Sequence, residues 1–242
     1  MNMRCNAISD VGCVRSNNED MALLLGQQIR DDDFSLSFEL TDDSRLTAIV
    51  ADGMGGYENG EMASQMATES FDTFINDLPD GLDANSLVKA IKQWVDKTNQ
   101  EIINMACGSN MGCTFCGLMT YNGNAYVLNI GDSRIYRLRN DLLKHLTTDH
   151  SERTRLHDDT IPSNLIYNAL GVEGAFIDIT PTRIIDDDIF LICSDGLTDM
   201  VDDATIETIL QAPGDKARQL VDAAKKAGGD DNITVILLEL SE

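Results

Sequence analysis

TFCGLMTYNGNAYVLNIGDSRIYRLRNDLLKHL, residues 114–146, decides the fold. Four short runs in it, 114–120, 124–130, 133–138 and 141–146, are rich in β-branched, aromatic and aliphatic residues. Between them stand Tyr121-Asn122-Gly123-Asn124, Gly131-Asp132 and Arg139-Asn140, residue types that close tight turns. This is an antiparallel meander, and it excludes a simple parallel βαβ unit.

Upstream the period changes. Residues 60–77 place Met62, Ala63, Met66, Ala67, Ser70, Phe71 and Phe74 at helical spacing, and 84–106 do the same with Leu87, Ile91, Val95, Ile102 and Ile103. Asp83 or Asn85 caps the second helix, whose Trp94 is a packing residue. Residues 1–14 read as extended and partly buried. Residues 21–25 and 45–51 read as strands, and FSLSFEL (34–40) alternates as a strand or an exposed hairpin. Downstream, 148–168 is a polar, irregular flap. Strands are expected at 175–180 and 188–193, helices at 199–212 and 215–227, and a central strand at 233–240. The expected class is α+β: a four-layer αββα sandwich of two antiparallel sheets face to face, with helices on the outer sides.

The 242 residues contain 43% hydrophobic side chains and 4 prolines, enough for a core and too few breaks for a linker, so one domain over 1–242 is expected, with a short flap at about 148–170. A net charge of −23 disfavours nonspecific binding to nucleic acid or anionic lipid. The six cysteines include one CxxC, Cys113 and Cys116, in strand-like sequence with no second pair for zinc. They read as buried, inert thiols. No signal-peptide core or membrane-length apolar run is present, so the expected location is cytoplasmic.

Five short acidic segments carry the chemistry: RSNNED (15–20), DGMGG (52–56), GDSR (131–134), SDGLTD (194–199) and DDNIT (230–234). Each sets carboxylates beside glycine, serine or a strand end. A turn or cap explains any one of them, but not four core strands each ending in an idle acid. Converging carboxylates hold hard cations such as Mg2+ or Mn2+, and cation-activated water beside a phosphate is the chemistry that follows.

In order and spacing these segments, with MGCTFCG, LTTDHS and NALG, resemble the metal-dependent protein phosphatase family (PPM, type 2C) over residues 12–234. DGMGG, without a histidine at Met54, is similar to the bacterial branch. The resemblance implies hydrolysis of phosphoserine and phosphothreonine in proteins. It implies that Asp52 bridges two central Mn2+ or Mg2+ ions, that the Gly53 carbonyl and Glu19 bind the second, and that Asp195 and Asp231 bind the first. Asp20 would act through metal-bound water. Asp132, with Asp195 and Asp199, would hold a third, weaker ion. Arg15 would clamp the phosphate, its fork reaching two oxygens. His150 and Asn232 are expected to be structural. Arg153 and Arg155 either attract acidic phosphopeptide or are merely solvated.

The implied catalytic residues are thus Arg15, Asp52, Asp195 and Asp231. The implied partners are phosphorylated Ser/Thr proteins and a cognate Ser/Thr kinase, and a monomer is expected. Two other readings stand beside this one. A catalytically silent phosphoprotein-binding module would need a damaged metal set. A small-molecule phosphoesterase would need a deeper, specific pocket.

Overall fold

The computed structural model describes residues 1–55 and 58–241; Gly56 of the DGMGG run lies outside the described residues, as do Tyr57 and Glu242. In chain order come β1 (Asn2–Asp10), β2 (Met21–Leu24), β3 (Gln27–Ile29), β4 (Asp32–Glu39), β5 (Thr47–Ala51) and β6 (Gly53–Met54). Two long helices follow, α1 (Glu58–Asp77) and α2 (Ala84–Ala106). The meander comprises β7 (Gly112–Cys113), β8 (Phe115–Tyr121), β9 (Asn124–Ile130), β10 (Arg134–Arg139) and β11 (Leu142–His145). After α3 (Glu152–Leu156) come β12 (Asp178–Thr182), β13 (Ile189–Cys193), α4 (Asp195–Thr198), α5 (Asp203–Gln211), α6 (Lys216–Ala227) and β14 (Ile233–Ser241).

Among the described residues these strands form two six-stranded sheets, β11-β10-β13-β14-β1-β4 and β12-β9-β8-β5-β2-β3, with β6 and β7 as a separate pair. The side-chain period of two explains how they stack. On β5, Ala48 and Val50 face the other sheet, where Ile192, Ile236 and Leu238 complete a buried layer. Ile49 and Ala51 face outward and meet Ala63, Ala67 and Phe71 of α1 and Ile91 of α2. On β14, Val235 and Leu237 meet Ile206 and Leu210 of α5 and Leu220 of α6. The result is the expected αββα arrangement, and strands covered on both faces are the ones that read as continuous apolar runs.

The α1/α2 layer is fastened by aromatics. Phe71 lies edge-on to Trp94 at 4.9 Å and to Phe115 at 5.0 Å between ring centroids. Trp94 Nε1 donates to Ser70 Oγ at 3.0 Å, so the indole is buried with its polar edge satisfied. Burying one such side chain stabilises the fold by roughly 1.5–3 kcal/mol. Asp83 begins α2 by accepting from the Ser86 N–H at 2.7 Å.

Several expectations need correction. FSLSFEL, read as a strand or an exposed hairpin, is a strand: residues 34–39 lie in β4, an edge strand paired antiparallel with β1. The strand expected at 175–180 starts at Asp178 and runs to Thr182. It is an edge strand, which is where Pro181 is tolerated. The helix expected at 199–212 starts later: α5 begins at Asp203 because Asp202 caps it by accepting from the Thr205 N–H at 2.8 Å, and the single turn α4 stands apart ahead of residue 199. The flap is not wholly irregular, since Ser151 caps the short α3. Met62 is exposed, not core.

Four cysteines are buried, but Cys13 and Cys107 are exposed. Cys113 faces the helices and Cys116 faces the other sheet, so the two thiols of the CxxC point to opposite faces. Burial pushes the Cys5 and Cys193 thiols up to about 12, which makes them inert. No helix among the described residues is long and apolar enough to cross a membrane.

Candidate active site

Where the central strands stop, a cavity of about 220 Å3 opens, lined by Arg15, Glu19, Asp52, Gly53, Asp132, Asp195 and Asp231. Each acid arrives on a different connection. Asp52 sits between β5 and β6, and Asp132 in the β9–β10 turn. Asp195 opens α4 after β13, and Asp231 precedes β14. Arg15 and Glu19 come from the β1–β2 connection. Strand ends are well held because the sheet fixes the backbone on one side, and the turns let the acids converge.

Close backbone approach shapes the floor. A Cβ at Gly53 would strike the carbonyl oxygens of Gly60 and Glu19, and one at Gly12, whose φ is +81°, would strike the Asp231 carbonyl. Asn232 ties these pieces together. Its Oδ1 accepts from the Glu19 N–H at 2.8 Å, and its Nδ2 donates to the carbonyls of Asn17 at 2.9 Å and Val11 at 3.1 Å. This is the structural role expected of it.

His150 is likewise structural. Its Nδ1 accepts from the Gly131 N–H at 3.1 Å, which leaves the proton on Nε2, 3.2 Å from Asp178 Oδ2. Arg134 and Ser133 also brace the GDSR turn. Arg134 Nη2 donates to Asp149 Oδ2 at 2.6 Å, and Ser133 Oγ lies 2.7 Å from Thr114 Oγ1.

Thr114 was missed in the sequence, although it sits in the MGCTFCG segment. Buried in the cavity wall, its Oγ1 accepts from the Asp52 N–H at 2.9 Å. Thr114→Val leaves that N–H unsatisfied, and a loss of roughly 1–3 kcal/mol in unfolding free energy is expected from denaturant titration, whereas Thr114→Ser retains most of the stability. Asn164 and Ile166, from the flap, also line the cavity and carried no sequence signal.

The electrostatics are those of crowded, buried acids. Burial, then the charges of Asp20, Asp195, Asp132 and Asp231, hold the Asp52 carboxyl well above its usual range. Burial, then Asp195 and Asp149, push Asp132 up to about 8. Burial raises Asp195 to about 6, against a lowering hydrogen bond with Asp52. Arg15 Nη2 meets Asp231 Oδ2 at 2.7 Å, the ion pair that is the alternative to a phosphate clamp for this residue.

Two expected site residues lie outside the cavity wall. Asp20 is buried behind it, with Oδ2 accepting from Ser194 Oγ at 2.7 Å. Burial, opposed by the Ser194 and Thr234 hydroxyls, pushes it up to about 7. Asp199 is exposed, accepts from Ser163 Oγ at 3.3 Å, and raises both Asp132 and Asp195 by its charge.

The donor set suits hard cations, being carboxylate oxygens beside a backbone carbonyl. Asp20 Oδ1 and Asp195 Oδ1 are buried with no hydrogen-bond partner among the described residues, the sort of uncompensated oxygen that a cation relieves. Among the described residues no three His, Cys, Asp or Glu side chains are closed on a single point.

The sequence profile described as Protein phosphatase 2C matches residues 25–223. The chain is 32% identical over 249 residues to the serine/threonine phosphatase stp of Listeria innocua, covering 96% of this chain and 93% of that one. The crystal structure of the Mycobacterium tuberculosis serine/threonine phosphatase PstP/Ppp superposes with a TM-score of 0.81 at 29% identity, covering 100% of both chains. A structure of the PstP catalytic domain in complex with two manganese ions gives a TM-score of 0.78, also at 29% identity and 100% of both chains. The chain belongs to the protein phosphatase 2C family and is a bacterial-type protein-serine/threonine phosphatase.

Proposed function

We propose that the cavity hydrolyses phosphoserine and phosphothreonine in proteins by water activated between two divalent cations. The observation that carries this is the convergence of Glu19, Asp52, Asp132, Asp195 and Asp231, from five separate connections, on one cavity with Arg15 at its edge. Asp52, rigid at the end of β5, would be shared by the two cations. Asp195 and Asp231 would hold the first, and Glu19 with the Gly53 carbonyl the second. Asp132, with Asp195 and Asp199, would hold a weaker third. Asp20, held by Ser194, supports the group from behind. When bound, Mn2+ or Mg2+ supplies positive charge to the phosphoryl oxygens and acidifies the attacking water.

Arg15 leaves Asp231 and grips two phosphoryl oxygens, orienting the phosphorus for in-line displacement of the serine or threonine oxygen. No histidine lines the cavity among the described residues, so the leaving oxygen takes its proton from water. Arg15→Ala is expected to raise KM for a phosphopeptide roughly ten- to a hundredfold, the worth of a charge-assisted hydrogen-bonded pair. It is also expected to tighten Mn2+ binding in calorimetry, because Asp231 loses a competing cation.

The 242 residues act as one catalytic unit in the cytoplasm, as a monomer opposing a Ser/Thr kinase. Phosphate release from a phosphothreonine peptide tests the reading. Turnover with Mn2+ or Mg2+ that EDTA abolishes is expected. Undiminished turnover in EDTA would refute the metal role, and turnover of a phosphorylated metabolite but no peptide would favour the small-molecule alternative.

A further inference from the structure

We infer that the outer face of segment 156–176 is a docking surface for the substrate polypeptide flanking the phosphoresidue, and that it selects an apolar flanking side chain over an acidic one. The inference rests on the phosphoprotein reading above and adds what kind of substrate the site takes.

Of the eleven large exposed hydrophobic residues among those described, five fall within these twenty-one positions: Leu156, Leu165, Tyr167, Val172 and Phe176, each at least 38% exposed. A concentration of this kind marks an interaction site, whereas scattered exposed apolar residues do not. It adjoins the cavity. Asn164 and Ile166 line the cavity, while Leu165 and Tyr167 alternate with them along the same stretch. A phosphorylated side chain entering the cavity passes Asn164 and Ile166, so the peptide bearing it runs beside Leu165 and Tyr167.

The face is also built. Tyr167 N–H donates to the His150 carbonyl at 2.9 Å, and the Phe176 ring lies 5.0 Å from the His150 ring and 6.5 Å from Tyr167.

Charge argues against acidic flanks. Residues 148–176 hold five acids (Asp149, Glu152, Asp158, Asp159, Glu173) against two arginines. Both arginines are engaged. Arg155 Nε donates to Glu152 Oε2 at 2.9 Å while its guanidinium lies 5.7 Å from the Tyr167 ring centroid, and Arg153 Nε donates to the Ile161 carbonyl at 2.6 Å. What remains to attract a flanking residue is apolar surface.

The test uses the full chain with Mn2+ and phosphothreonine peptides of glycine background, with leucine or glutamate walked through the flanking positions. At one or more positions leucine is expected to raise kcat/KM roughly five- to thirtyfold over glycine, the worth of partly burying such a side chain. Glutamate is expected to raise it nowhere. The leucine-to-glycine ratio is expected to fall to within twofold of one in Leu165→Ser. Leu156→Ser, at a separate exposed position of the same segment, repeats the test should the first variant misfold. A wild-type ratio near one at every position, a ratio unchanged in both variants, or a preference for glutamate would overturn the docking inference while leaving the phosphatase reading intact. No turnover of any phosphopeptide would sink both.

Discussion

Asp52→Asn is expected to lose more turnover than any other single substitution while raising the stability of the metal-free protein. Asparagine keeps the shape but carries no charge and has only one oxygen to offer. A residue placed to bridge two cations is therefore expected to cost more than the roughly 10–100-fold typical of residues one step removed from a metal. The stability effect has the opposite sign. Burial and four neighbouring acids disfavour the charged form of Asp52, so a neutral side chain relieves strain that the native state carries at neutral pH. Steady-state kinetics in Mn2+ and thermal melts in EDTA check the two halves. Wild-type turnover would contradict the bridging role, and a lower melting temperature in EDTA would contradict the electrostatic account.

In EDTA, stability is expected to fall as pH rises from about 4 to about 8. The folded-state values of Asp195, Asp20 and Asp132 are raised to about 6, 7 and 8. Below the unfolded-state value of about 3.9 both states are protonated, and the groups contribute nothing. Above it the unfolded chain releases protons that the native state retains, so the native state binds more protons and stability declines with pH. With Mg2+ the slope is expected to reverse. Deprotonation then accompanies cation binding, which favours the native state increasingly as pH rises. For a chain of this size each kcal/mol moves the melting temperature by about 2–4 °C, so the two curves are expected to diverge visibly toward pH 8. Parallel curves with and without Mg2+ would mean that these acids do not hold the cation.

The parts of the fold legible in the sequence are those with a long, uninterrupted signal. Strand β9 and helix α2 lie where alternation and helical periodicity put them, and β14 differs by a single terminal residue, because β9 and β14 are packed on both faces and α2 carries one buried stripe along its length. The two-residue strands and the short helix α3 were not legible. The two-residue β6 and β7 exist only through their mutual pairing, Gly53 opposite Cys113 and Met54 opposite Gly112. The five-residue α3 has too few turns to show a period. The start of α5 was misplaced because an acidic run offers several possible caps, and only the Asp202 bond to Thr205 singles one out.

The candidate site divides in the same way. Acids at strand ends announce themselves locally, as Asp52, Asp195 and Asp231 do. Which of them share a wall depends on contacts across the chain. Arg15 meets Asp231 over a separation of 216 residues, and Asp20 meets Ser194 over 174. Nothing local to Asp20 or Asp199 says that one turns behind the cavity and the other stays on the surface.

The most direct test of the central claim is anomalous scattering from crystals of the protein grown with Mn2+. The account predicts two strong peaks in the cavity, both within ligand distance of Asp52, one beside Asp195 and Asp231 and the other beside Glu19 and the Gly53 carbonyl. A cavity without manganese, or manganese bound only away from Asp52, would contradict it.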